Sequence, residues 1–222
     1  MRMLRLTNSD DLRPVAYENE RAHRIVERAF EAETGEHVET VLRAIWPTPE
    51  LPDLIGEWIE RFEPDAVFMK VSAYWFTYES VPLKVQRSHL GPFGRGVARA
   101  GFRTAESPIG ETSFFHAARR FSRRVVGSAV YFTPEQVMDC ASACLRRIAQ
   151  AEQALVLVRG PIVSEAGGVT ASIEQRAEMR RRQVHEALRA LCAELRMHYT
   201  GCSEAPPFRE SARYRGPDRM HL

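Results

Sequence analysis

The sequence predicts an α/β chain built on a doubly wound, mostly parallel sheet with helices on both faces. Three observations predict it. Short apolar or alternating runs recur along the chain, stretches with the spacing of an amphipathic helix separate them, and Gly, Pro, Asn and Asp mark the junctions. With 222 residues and 44% hydrophobic content the chain can bury one sizeable core, and a single domain over 1–222 is expected.

Met3 to Leu6 alternates in apolar character and reads as the first strand, closed by the small polar turn Thr7-Asn8-Ser9-Asp10-Asp11. From about Val15 to Glu33, Ala22, Ile25, Val26, Ala29 and Phe30 recur at helical spacing and would form the buried face of a helix, with Gly35 as its stop. Val38 to Ile45 alternates again and is the second strand, broken by Trp46-Pro47-Thr48-Pro49. A short helix over Leu51 to Phe62 follows. Ala66-Val67-Phe68-Met69-Lys70-Val71 is nearly continuous in apolar character, as a strand buried on both faces would be.

Between Lys84 and about Gly127 the pattern dissolves into Gly91, Gly94, Gly96, Gly101 and Gly110 among Arg and aromatic residues, an irregular excursion at about 84–127. Thr133-Pro134-Glu135-Gln136 caps and launches a helix to about Glu152. Ala154 to Val158 is then a further buried strand, Thr170 to Arg196 a long amphipathic helix, and Met197 to Thr200 the last strand. In such sheets ligands bind beyond the carboxyl ends of the strands, here Thr7-Asn8-Ser9, Trp46, Ser72-Ala73-Tyr74-Trp75 and Arg159-Gly160-Pro161.

The charge pattern bounds the partners. Lys+Arg reaches 31 against 29 Asp+Glu, a formal net charge of +2 with both signs mixed along the chain, so no field calls for nucleic acid or a membrane surface. Met1 to Leu6 is too short and too charged for a signal sequence, and no apolar run approaches the roughly 18 residues of a membrane span. A cytoplasmic protein is expected. Cys140, Cys144, Cys192 and Cys202 show no metal-ligand spacing, and read as free, mostly buried thiols.

The chemistry rests on the two ends of the chain. A serine is a weak nucleophile until a histidine takes its proton, and a carboxylate best holds that histidine in the useful tautomer. Ser9 stands at the first strand end, and Asp218-Arg219-Met220-His221 supplies the other two groups three residues apart.

At this point a resemblance can be named. Leu4-Arg5-Leu6-Thr7-Asn8-Ser9 resembles the first block of the SGNH (GDSL-type) serine hydrolases, a strand followed by Gly-Asp-Ser, and Asp218-Arg219-Met220-His221 resembles their last block, Asp-x-x-His. Pro64 to Val71 is similar to the strand leading into their third block. The resemblance spans nearly the whole chain, and the element order is similar to that family's flavodoxin-like α/β/α sandwich.

The resemblance implies a serine-dependent esterase or deacylase acting on a small acyl ester, acylated carbohydrates among the candidates. Ser9 would be nucleophile, His221 general base, and Asp218 the group that orients it. It implies no metal and no organic cofactor. The chain departs from the family where Thr7-Asn8 replaces Gly-Asp and Ser72-Ala73-Tyr74-Trp75 replaces Gly-x-Asn-Asp. At the second strand end Pro47, beside Trp46, has no N–H to offer where the family has a glycine donor. Asn8, Trp46, Ser72, Tyr74 and Trp75 are therefore the candidates for oxyanion and pocket roles.

Blander readings stand beside these. Ser9 would also serve as the N-cap of the following helix, Asp218 and His221 as tail residues, and Tyr74 and Trp75 as core. Gly91-Pro92-Phe93-Gly94-Arg95-Gly96 matches no phosphate-loop spacing and reads as a loop. Arg119, Arg120, Arg123 and Arg124, and Arg180-Arg181-Arg182, read as solvated faces, with anionic-substrate or nucleic-acid recognition as the alternative. His116 and His185 lack metal-ligand partners and read as structural or surface residues. The departures leave a second function open: a catalytically impaired relative that binds a ligand or partner.

Overall fold

The computed structural model describes residues 1–8, 22–87, 128–151, 154–161 and 171–201. The strands are β1 (Arg2–Thr7), β2 (Glu39–Ala44), β3 (Ala66–Lys70), β4 (Leu155–Arg159) and β5 (His198–Thr200). The helices are α1 (Ala22–Thr34), α2 (Leu51–Phe62), α3 (Tyr74–Thr77), α4 (Val81–Arg87), α5 (Pro134–Ala149) and α6 (Ala171–Glu194). The chain divides into two compact units: Met1–Ser72, Pro134–Ile162 and Arg182–Ala205 in the first, and Ala73–Thr133, Val163–Arg181 and Pro206–Leu222 in the second.

The first unit holds the sheet. Its order is β2-β1-β3-β4-β5 and every pairing is parallel, the flavodoxin-like arrangement in which the winding reverses between β1 and β3. Side chains alternate across the sheet, so Leu4, Leu6, Val67, Met69, Val156 and Val158 share one face, and all are buried. On the other face Arg5, in β1, is buried with its guanidinium 4.5 Å over the Phe68 ring.

Helix α2 shows why the sequence stops and starts where it does. Pro52 occupies the first turn with Asp53, and Arg61 lies in the last turn, each on the favourable end of the helix dipole. Leu51 and Ile55 are buried, while Glu63 takes the left-handed conformation (φ 42°) and ends the helix. On α5, Val137, Ala141, Leu145 and Ile148 form the buried face. Helices α2 and α5 approach closely at Gly56, where a Cβ would collide with the Arg147 guanidinium, which in turn pairs with Glu60 at 3.0 Å.

The structure departs from the sequence expectation at three places. On α1 the expected apolar face is turned outward: Ile25 is 51% and Val26 39% exposed, while His23 and Glu27 are buried. The inward face carries Glu27, which makes a 2.7 Å ion pair with Arg24. Burial alone would raise the Glu27 carboxyl, but Thr40 and Arg24 together bring it below the ordinary carboxylate range. Strand β4 is buried on one face only, since Leu155 and Leu157, 56% and 37% exposed, point away from Val156 and Val158. The third correction concerns the arginine run of α6, where Arg181 is fully buried and forks onto Glu178 at 2.7 and 2.8 Å.

In the second unit a buried carboxylate gathers three elements. Glu79 accepts a 2.5 Å hydrogen bond from Ser128 Oγ and pairs with Arg176 at 3.3 Å and Arg180 at 3.1 Å. Burial would raise its pKa, but Ser128, Arg176 and Arg180 outweigh it and hold Glu79 below the usual range. Ser80 and Ala129 form an antiparallel bridge beside it. The expected excursion begins with an ordered turn of chain, α4, and its residues 88–127 lie outside the described residues, as do Arg119, Arg120, Arg123, Arg124 and His116.

Candidate functional site

The carboxyl ends of β1, β2 and β3 lie side by side in the first unit. The β1–β2 ladder runs on by one bond, from Ile45 N–H to Thr7 O at 2.7 Å, so Trp46 stands at the mouth of β2, 40% exposed. The β3–β4 ladder likewise continues from Val71 N–H to Arg159 O at 2.9 Å, which delivers Ser72 to the mouth of β3.

Asn8 and Ser72 then meet across the switch point between β1 and β3. The Asn8 Nδ2 amide donates to Ser72 Oγ at 3.0 Å, and both side chains are buried. A buried amide held by a hydroxyl has a fixed direction, so this bond orients the residue that immediately precedes Ser9. Of the sequence-predicted site residues, the structure brings these two together.

Tyr74 and Trp75 belong to the second unit, at the start of α3. Tyr74 stacks on Tyr78 with ring centroids 4.8 Å apart and tilts against Tyr131 at 5.5 Å, where the two phenol oxygens are 3.5 Å apart. Trp75 is buried, and its carbonyl accepts from the Phe132 N–H at 3.0 Å. Ser9, Asp218 and His221 lie outside the described residues.

Sequence reasoning missed a second polar pair at strand ends in the first unit. Tyr199 of β5 places its hydroxyl 2.7 Å from His185 Nδ1, and His185 is buried. Tyr199 crosses directly over Gly160, at the mouth of β4, where any side chain would collide with its phenol. The signal was Gly160 itself, a residue without Cβ at a strand end, which marks close approach of another group.

No family model matches the chain, and no curated protein matches its sequence. Solved structures do. The psychrotrophic esterase EstA from a Pseudoalteromonas species, seen inhibited by monoethylphosphonate, superposes with a TM-score of 0.53 at 10% identity, covering 99% of this chain and 86% of that one. TesA gives 0.53 at 11% identity, over 100% and 88% of the two chains. The esterase AlinE4 gives 0.50 at 8% identity, over 90% and 74%. The likeness is one of fold, an α/β arrangement whose sheet, among the described residues, has five strands, all parallel.

Proposed function

We propose that the chain is a cytoplasmic serine esterase or deacylase that hydrolyses a small acyl ester through an acyl-enzyme, acylated carbohydrates among its substrates. The observation that carries this reading is the Asn8–Ser72 hydrogen bond at the β1/β3 switch point, in a fold shared with esterases. It holds fixed the residue before Ser9 where doubly wound sheets bind ligands.

In this reading Ser9 Oγ attacks the ester carbonyl as His221 takes its proton, with Asp218 stabilising the imidazolium that forms. The tetrahedral oxyanion collapses, and His221 returns the proton to the leaving alcohol. Water, deprotonated by the same histidine, then releases the acid and restores Ser9. The Ser9 backbone N–H and the Asn8 amide are the candidate oxyanion donors, and Trp46 the candidate apolar surface of the pocket. Each donor is worth about 100- to 1000-fold in turnover.

Among the described residues no helix is long and apolar enough to cross a membrane. The decisive test is labelling of the folded chain with a fluorophosphonate probe. Wild type is expected to label, and Ser9→Ala and His221→Ala to lose it. Folded wild-type protein that takes no label would sink the hydrolase and favour the second reading, a scaffold that binds a ligand without turning it over, to which Pro47 and Tyr74 at the donor positions point.

A further inference from the structure

The strands of the first unit place two cations side by side. Lys70, the last residue of β3, is the register partner of Arg159, the last residue of β4. The two side chains therefore leave the same face of the sheet from strands about 5 Å apart. Arg159 is in turn the partner of Thr200, the last residue of β5. One row thus carries an ammonium, a guanidinium and a hydroxyl across three neighbouring strand ends. Lys70 and Arg159 are half-buried, and Thr200 is exposed.

The sheet itself does not balance this charge. Among the described residues no strand directs an acidic side chain to this face, and the row beneath adds the buried Arg5, whose guanidinium rests on the Phe68 ring. Glu27, buried in the same unit, is held by Arg24 at 2.7 Å. Like charges at directly opposed positions of neighbouring strands repel, and an anion seated between them turns that repulsion into attraction.

The row stands at the carboxyl ends of the strands, where doubly wound sheets bind small ligands. Its geometry is fixed on both sides of Arg159. The Val71 N–H bonds to Arg159 O at 2.9 Å, and the Gly160 N–H bonds to Thr200 O at 2.8 Å, so β3, β4 and β5 are tied together at this level. Ser72, which accepts from Asn8, follows Lys70 by two residues, about 7 Å along the chain.

We propose that Lys70 and Arg159, with the Thr200 hydroxyl beside them, form a binding site for an oxyanion, the carboxylate or phosphate group of a small ligand. Arg159 offers the planar fork that takes two oxygens of such a group at once, Lys70 adds a compact charge, and Thr200 adds a neutral donor. An uncharged ligand of the same shape would leave both cations unmatched, so the row selects by charge. That the anion belongs to an ester rests on the hydrolase reading; that an anion binds does not. On that reading the substrate carries its charge several bonds from the scissile carbonyl.

The site is tested by isothermal titration calorimetry of the full chain at low ionic strength, with inorganic phosphate and, separately, with succinate, which tells the two oxyanions apart. At least one is expected to bind, and to bind more weakly as sodium chloride is raised. Arg159→Gln is expected to weaken that binding by about tenfold or more, and Arg159→Lys, which keeps the charge and loses the fork, by less. Lys70→Gln is expected to act as Arg159→Gln does, while Arg61→Gln, which removes an exposed cation of α2, leaves the affinity unchanged. Circular dichroism checks that each variant is folded. No heat with either anion in wild type, or an affinity that Arg159→Gln leaves at the wild-type value, overturns the proposal. Hydrolysis supplies a second readout: kcat/KM for the anionic para-nitrophenyl succinate, relative to that for the neutral para-nitrophenyl acetate, is expected to fall about tenfold in Arg159→Gln. Turnover of neither ester, with anion binding intact, removes the hydrolase and leaves the site standing.

Discussion

Asn8 and Ser72 are 64 positions apart in the chain and 3.0 Å apart in space, and each was visible in the sequence only as a small polar residue at the end of an apolar run. What the sequence could not carry was the pairing, because it depends on β3 lying against β1 on the side away from β2. The two substitutions separate orientation from direct contact. If Asn8 touches the reacting oxygen, Asn8→Ala lowers kcat by about 100-fold or more with little change in KM. Ser72→Ala, which only frees the amide to turn, lowers kcat by about tenfold, a loss of roughly 1.4 kcal/mol, and Ser72→Thr restores most of it because the hydroxyl is retained. Steady-state kinetics on a chromogenic acetyl ester, alongside urea unfolding of each variant, checks the split. His185 illustrates the limit of local reading: its partner Tyr199 follows 14 residues later on another element, a separation that no helical or strand periodicity encodes.

At the scale of elements, the strand and helix periods located β1 through β3, α2 and α5 well; β2 runs into Pro47, α2 ends at the left-handed Glu63 and α5 opens at Pro134. Helix α1 shows where periodicity misleads. Ile25, Val26 and Ala29 form a better apolar stripe than any its inner face offers, yet the face turned inward carries the buried His23 and Glu27. Two variants distinguish the two orientations. Ile25→Gln combined with Val26→Gln is expected to change stability by no more than about 0.5 kcal/mol per site, as exposed positions do. Glu27→Ala is expected to cost about 1–3 kcal/mol, because it empties the space of a buried side chain and removes the ion pair with Arg24. Chemical denaturation monitored by circular dichroism reads both. The reverse order of effects would place Ile25 and Val26 against the sheet.

For the molecule as a whole, alternation of helix and strand was enough to foresee a parallel sheet, but the division into two compact units was not legible. The chain passes from one unit to the other within continuous runs, at Ser72–Ala73 and inside α6, with no linker composition to mark the change. Among the described residues a buried carboxylate is held low in each unit, Glu27 in the first and Glu79 in the second. A carboxylate with a folded-state pKa below its unfolded value of about 4.3 leaves the unfolded chain binding more protons wherever the two differ. Its contribution is complete above the unfolded pKa and is lost as pH falls through the folded one. The urea midpoint is therefore expected to hold steady from about pH 8 to 6 for these groups and to drop below about pH 4.5, with a shallower drop in Glu79→Gln. A midpoint in that variant as acid-sensitive as in wild type would count against the assignment.

The strand order also sets a calendar for synthesis. β1 leaves the ribosome first, and β2 is the next strand made and pairs directly with it. β3 then takes the other side of β1, β4 adds to β3, and β5 adds to β4, so each strand finds its neighbour already present when it emerges. Parallel pairing makes every such step wait for a long crossover, which slows refolding of the complete chain from denaturant. During translation, at roughly 5–20 residues per second, the same waits fall between successive arrivals rather than competing with one another. A sheet wound outward from its first strand can thus be assembled in the order in which it is written.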